Sequence, residues 1–133
     1  MRNKKIIVVL IIILIAVGAV VLLNQNNSNE TGYVKISPED AKEIIDSNED
    51  ITIIDVRTEG EYEEGHVAGA VCIPNETISK EVSASLPDKD QEILVYCRSG
   101  NRSKQAADKL IALGYTNVKD FGGIIDWPYE VIN

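Results

Sequence analysis

Histidine occurs once in these 133 residues, at position 66, and cysteine only twice, at positions 72 and 97. One imidazole and two separated thiols do not make a usual four-ligand zinc set, so no metal site is expected. Basic residues are the minority charge: 13 Lys and Arg stand against 21 Asp and Glu. Arg2, Lys4 and Lys5 precede position 6 and every acid follows position 23, so the chain beyond Leu23 carries eleven more acids than bases. That balance disfavours nucleic acid and anionic lipid surfaces as partners, and it keeps an exposed domain soluble.

Charged and strongly polar side chains are also missing from Ile6 to Leu23, 18 consecutive residues. At about 1.5 Å per residue this run nearly crosses a hydrocarbon core of about 30 Å. The chain then divides into a basic N-terminus (1–5), a transmembrane anchor (6–23), a flexible polar linker (24–33, including NQNNSNETG) and one domain of about 100 residues (34–133), a common domain size. Positive residues before the run and none just after it place the N-terminus in the cytoplasm, giving a single-pass protein with its domain extracytoplasmic. The competing reading is a cleaved signal and a secreted domain, since Val17-Gly18-Ala19 resembles a cleavage site. Signal h-regions are usually about 7–15 residues, however, and cleavage there would leave VVLL exposed. No cysteine near the end of the run supports a lipid-modified N-terminus.

Past the linker, apolar strands alternate with amphipathic helices. Ser37-Pro38-Glu39-Asp40 supplies an N-cap, a first-position proline and first-turn acids, with Ala41, Ile44 and Ile45 on one face. The β-branched run Ile51 to Val56 predicts a buried strand, Glu59 to Glu64 a helical turn, and Val71 to Ile73 a small strand closed by Pro74. Ile78 to Leu86 has mixed helical character. Glu92 to Tyr96 predicts a second buried strand, Ser103 to Leu113 a strong helix stopped by Gly114, and Asn117 to Phe121 a last strand. Strands alternating with helices imply a parallel sheet covered on both faces, where ligands sit at the carboxyl ends of strands.

Cys97 falls at such a place, one residue past a predicted strand. Thiolate is the reactive form of cysteine, and an ordinary thiol is mostly protonated at neutral pH. The helix predicted just after the loop turns its unpaired N–H groups and positive dipole end toward Cys97, and Arg98 and Arg102 add charge. Ser99, Gly100 and Asn101 are small or tolerate unusual backbone angles, so successive N–H groups can turn inward as an anion cradle. A sulfur nucleophile inside an anion cradle suits an oxyanion-bearing substrate.

The pieces IDVR (Ile54 to Arg57), EYEEGHVAGAVCIP (Glu61 to Pro74), LVYCRSGNRS (Leu94 to Ser103), the AA..L...GY stretch (Ala106 to Tyr115) and GGIIDW (Gly122 to Trp127) resemble, in order and spacing, a single-domain rhodanese. The resemblance runs from about Val34 to Ile132. It implies a rhodanese-like α/β fold, a five-stranded parallel sheet with helices on both faces, preceded here by the N-terminal transmembrane or signal helix. It further implies a sulfurtransferase in which Cys97 takes sulfane sulfur from thiosulfate or a similar donor as a persulfide and passes it to a thiol, cyanide or protein acceptor. On this resemblance the backbone of Arg98, Ser99, Gly100, Asn101, Arg102 and Ser103 holds donor and persulfide, the two arginines orient the anion, and no cofactor is needed. The alternative is a non-catalytic sulfane-sulfur carrier or protein-interaction module on the same fold.

Loop length argues against a cysteine phosphatase. Such enzymes place a phosphate-gripping arginine six residues after the cysteine, and here that residue is Ser103, with Arg102 one position short. His66 tempts as a base for Cys97, but it lies in the GHVAGA segment, which in the family this chain resembles is a structural element, and the resemblance therefore implies packing and hydrogen bonding. Asp55 and Arg57 are read as scaffold, with Arg57 paired to a nearby acid such as Glu61. Cys72 departs from the family pattern, which often has asparagine there. It is read as a small core residue, with a Cys72–Cys97 disulfide as the alternative outside the cell.

Overall fold

The computed structural model describes residues 2–25 and 32–133, in two units that divide between Thr31 and Gly32. In the first, helix α1 (Arg2–Gln25) carries the apolar run. Side chains from Ile6 to Ile15 are each half or more exposed. Those ten residues cover only about 15 Å of helix axis. Among the described residues no helix is long and apolar enough to cross a membrane, so the expected span over 6–23 finds no support in them. Most of the linker expected over 24–33 lies outside the described residues.

In the second unit the strand-helix alternation is realised. Strand β1 (Tyr33–Lys35) leads to α2 (Pro38–Ser47), β2 (Ile51–Asp55), α3 (Glu59–Glu64), β3 (His66–Val67) and β4 (Val71–Cys72). After two short 3-10 turns come β5 (Glu92–Cys97), α4 (Asn101–Ala112), β6 (Val118–Gly123), a third 3-10 turn (Ile124–Asp126) and β7 (Val131–Ile132). Five strands form one parallel sheet in the order β1-β6-β5-β2-β4, and β3 and β7 pair separately as an antiparallel ribbon. Capping chemistry starts two of the helices. Ser37 with Asp40 and Thr58 with Glu61 each form a capping box at the head of α2 and α3, satisfying N–H groups the helix leaves unpaired.

Side-chain alternation along β5 divides the core into two layers. Ile93, Val95 and Cys97 face a cluster containing Ala106, Ala107 and Leu110 of α4 and Val82 and Leu86 of the 78–86 segment. Leu94 and Tyr96 face the other way, toward Ala41 of α2, Phe121 and Trp127. Every residue from Ile93 to Cys97 is buried, because the central strand is covered on both faces.

Three boundaries differ from the sequence-based expectation. Cys97 is the last residue of β5 rather than the first beyond it. Helix α4 begins at Asn101, two residues before the expected start, because Gly100 caps it through its own left-handed conformation (φ 107°) with no capping side chain. Segment 78–86 tightens to a 3-10 turn over Lys80–Ala84. Strands β1, β3 and β7 are too short, at two or three residues each, to show a period.

Candidate active site

Strand β5 delivers Cys97 to the carboxyl edge of the sheet, and Ser99 and Gly100 turn the chain into α4. The thiol is 1% exposed. Its Sγ accepts the Gly100 N–H at 3.0 Å and lies 3.6 Å from the Ser103 hydroxyl. Burial pushes the Cys97 pKa up and is the largest single influence. The Ser103 N–H and hydroxyl, followed by the N–H groups of Gly100 and Ser99, together outweigh it, and the net shift is downward. The sequence-based reasons were a helix terminus and two arginines. The first holds, since Ser103 lies in the first turn of α4.

Ser103 is fully buried, and its hydroxyl can serve both protonation states of the sulfur. With Cys97 protonated, the hydroxyl donates to the Gly100 carbonyl at 3.0 Å or the Gly122 carbonyl at 3.4 Å while the S–H donates to Oγ. With Cys97 ionised, the same hydroxyl turns to donate to sulfur. Ser103→Ala removes that donor. The midpoint of the pH profile for alkylation of Cys97 should move upward, and alkylation at neutral pH should slow; an unshifted midpoint would leave the backbone donors as the sole cause.

The loop rests against the end of β6. Cys97 is in register with Gly123, beyond an irregularity after Val95. A β-carbon at Gly123 would stand 2.1 Å from the Arg98 carbonyl oxygen and 2.6 Å from the Ser99 Cα. Only glycine allows this approach. The Ile125 N–H donates to that Arg98 carbonyl at 3.3 Å, and the Asp120 carboxylate, itself fully buried, accepts the Gly122 N–H at 2.9 Å and the Tyr33 hydroxyl at 3.1 Å. Burial beside Asp120 pushes the Tyr33 phenol up to about 12, so it stays a donor. The GGIIDW stretch is therefore the wall of the cysteine loop, a role that needs the β5–β6 register to be seen.

The two arginines separate. Arg98 is exposed and makes no ion pair among the described residues. Arg102 reaches across to α3, where its two terminal nitrogens donate to the two Glu61 oxygens at 2.8 and 3.0 Å. This fork, with further hydrogen bonds from Thr58, holds the Glu61 carboxyl down to about 2.

Glu61 is thus not the partner of Arg57, as the sequence-based reading has it. The Arg57 guanidinium instead donates to both oxygens of fully buried Asp55, at 2.6 to 3.0 Å, and to the Gly65 carbonyl at 2.7 Å. Asp55 also accepts the Tyr96 hydroxyl at 2.9 Å. Asp55 and Arg57 are scaffold, a buried pair whose polar atoms are satisfied by each other and by the backbone. His66 packs as expected: its ring stacks on Tyr62 at 3.7 Å, and Nδ1 donates to the Tyr62 carbonyl at 2.9 Å.

Cys72 and Cys97 are both free thiols. Cys72 is in register with Asp55, which is in register with Tyr96, so Cys72 shares the Tyr96 face of the sheet and Cys97 the opposite one. Strand β2 lies between them, a separation of about 9.6 Å at two strand spacings. A disulfide tolerates about 7 Å between Cα atoms, so this fold forbids the Cys72–Cys97 bridge. Among the described residues no cluster of three His, Cys, Asp or Glu side chains is placed to hold a metal ion.

The profile of the rhodanese-like domain matches residues 37–128, which takes in every element from α2 to the third 3-10 turn and the whole cysteine loop. The chain belongs to the rhodanese-like family. This rhodanese-like domain is 40% identical over 73 residues to thiosulfate sulfurtransferase PspE of Escherichia coli, covering 55% of this chain and 70% of that one. It is 36% identical over 94 residues to a sulfurtransferase of Allochromatium vinosum, covering 70% and 86%. A solved structure of an E. coli rhodanese with anions superposes with a TM-score of 0.59 at 35% identity, covering 62% of this chain and 98% of that one. Both of these named relatives of the rhodanese-like domain are sulfurtransferases, and the parallel sheet with helices on both faces agrees with the fold expected from the sequence.

Proposed function

We propose that this domain moves sulfane sulfur from thiosulfate, or a donor of the same kind, to a thiol, cyanide or protein acceptor through a persulfide on Cys97. The observation that carries this reading is the polar ring around one buried sulfur: the Gly100 N–H donates to it at 3.0 Å, the Ser103 hydroxyl lies 3.6 Å away ready to donate once the sulfur ionises, and the thiol is shifted downward on balance. The Cys97 thiolate attacks the outer sulfur of thiosulfate, its electron pair forms the new S–S bond, and the old S–S bond breaks with its electrons leaving on sulfite. An anionic acceptor such as cyanide then attacks the outer sulfur and leaves as thiocyanate, returning the thiolate.

Within the loop, the N–H groups of Arg98 to Ser103 cradle the negative sulfur, and the Arg98 side chain orients the donor's oxyanion. The deciding experiment incubates residues 32–133 with thiosulfate, takes an intact mass and assays thiocyanate after cyanide is added. A gain of one sulfur with thiocyanate release is the expected result. No added sulfur on a reactive thiol would overturn the reading, and sulfur that loads but does not transfer would leave a carrier.

The N-terminal run is proposed to act as a single-pass anchor, its basic end cytoplasmic and the domain outside. Support comes from its 18 apolar residues, the three basic residues before them and the exposed apolar side chains of Ile6 to Ile15. The full chain should stay in the membrane pellet through alkaline carbonate extraction, and its domain should be cut by protease added outside spheroplasts. Release in carbonate, or a mature N-terminus just after Ala19, would sink the anchor, the latter in favour of a secreted protein.

A further inference from the structure

Sequence places two arginines in the cysteine loop; in the structure Arg98 is exposed with no ion pair among the described residues, and Arg102 is engaged. Arg102 stands in the first turn of α4, yet its guanidinium is held in a two-pronged pair with Glu61, on a helix 41 positions earlier. Glu61 is itself fixed. Its carboxylate accepts the Thr58 N–H at 3.0 Å and the Thr58 hydroxyl at 3.1 Å, and its own N–H donates back to the Thr58 hydroxyl at 3.3 Å. Both side chains of the pair are less than a third exposed, so water screens them only in part. Breaking the pair to offer Arg102 to an anion would strip a carboxylate of its strongest donors.

We infer that Glu61 is a specificity-determining residue of the Cys97 site: it holds Arg102 out of the anion cradle, so that the site offers incoming donors one guanidinium rather than two. A donor with one compact anionic head suits such a mouth. A second guanidinium would add affinity for anions of higher charge and would hold the negative product longer. The pair also ties α3 to α4, but that mechanical role does not distinguish charged from neutral reagents, whereas the role inferred here does.

The test uses the free Cys97 thiol and needs no sulfur transfer, so it can fail or succeed independently of the proposed function. Second-order rates of Cys97 modification are measured with iodoacetate, which is anionic, and iodoacetamide, which is neutral, in a Cys72→Ser background. Their ratio cancels the thiolate fraction, which is common to both reagents. Glu61→Gln keeps a capping-box residue at the head of α3 while removing the charge that holds Arg102. It should raise the iodoacetate to iodoacetamide ratio about threefold at low salt, as expected for one released unit charge near the site. Glu64→Gln makes the same charge change at an exposed position of the same helix, and Glu61→Gln with Arg102→Met removes the released guanidinium. Both should leave the ratio near that of the parent. An unchanged ratio in Glu61→Gln, an equal rise in Glu64→Gln, or a rise that survives loss of Arg102 would each overturn the inference.

Discussion

Cys97→Ser should take up no sulfur from thiosulfate and produce no thiocyanate, with turnover falling by more than about 10³-fold, the scale on which removal of a covalent nucleophile acts. The substitution should leave the fold in place. Serine is slightly smaller, and the Gly100 N–H and Ser103 hydroxyl remain as partners for its oxygen. Circular dichroism and a thermal melt close to the parent, together with an intact mass that does not change on incubation, make the result interpretable. Residual loading at the parent rate would mean that sulfur enters elsewhere, and Cys72 is the only other thiol. Cys72 is a poor substitute, because burial, and then the negative charge of Asp55, push its pKa up.

Gly123→Ala is expected to be nearly as damaging, although residue 123 supplies no reactive group. The added methyl would stand 2.1 Å from the Arg98 oxygen, so either the loop backbone or the end of β6 must retreat by about an ångström. Such a displacement at a preorganised site costs on the order of 100-fold in rate. Cys97 alkylation should lose its low-pH reactivity in the same variant, since the N–H groups that favour the thiolate belong to the displaced segment. Rates within a factor of two of the parent would show that β6 yields without disturbing the cradle.

Much of this site is legible because its parts are contiguous. The cysteine, the glycine turn and the helix that follows lie within seven residues, Cys97 to Ser103, so periodicity and turn chemistry locate them together. The same local logic finds α2 through its N-cap Ser37 and first-position Pro38, while the capping box that Thr58 and Glu61 make at the head of α3 is seen only in the structure. Long-range pairing is where such reading fails. Arg57 and Arg102 compete on paper for Asp55 and Glu61, and nothing local says that the nearer acid in sequence takes Arg57 while Glu61 crosses 41 residues to Arg102. Gly123 looks like a turn residue until the register sets it beside Cys97. Strand β1 escapes notice because three residues at a sheet edge, Tyr33 to Lys35, hold too little pattern.

The separation of the two cysteines by β2 and by the plane of the sheet also decides what oxidation can do to the nucleophile. The chain is electrically insulated from itself: the nucleophile has no internal partner with which to short-circuit. Its idle state is then a lone thiol rather than a spent disulfide. Any bridge it does form joins it to a second molecule, large or small, and is undone by exchange with a thiol from outside the chain.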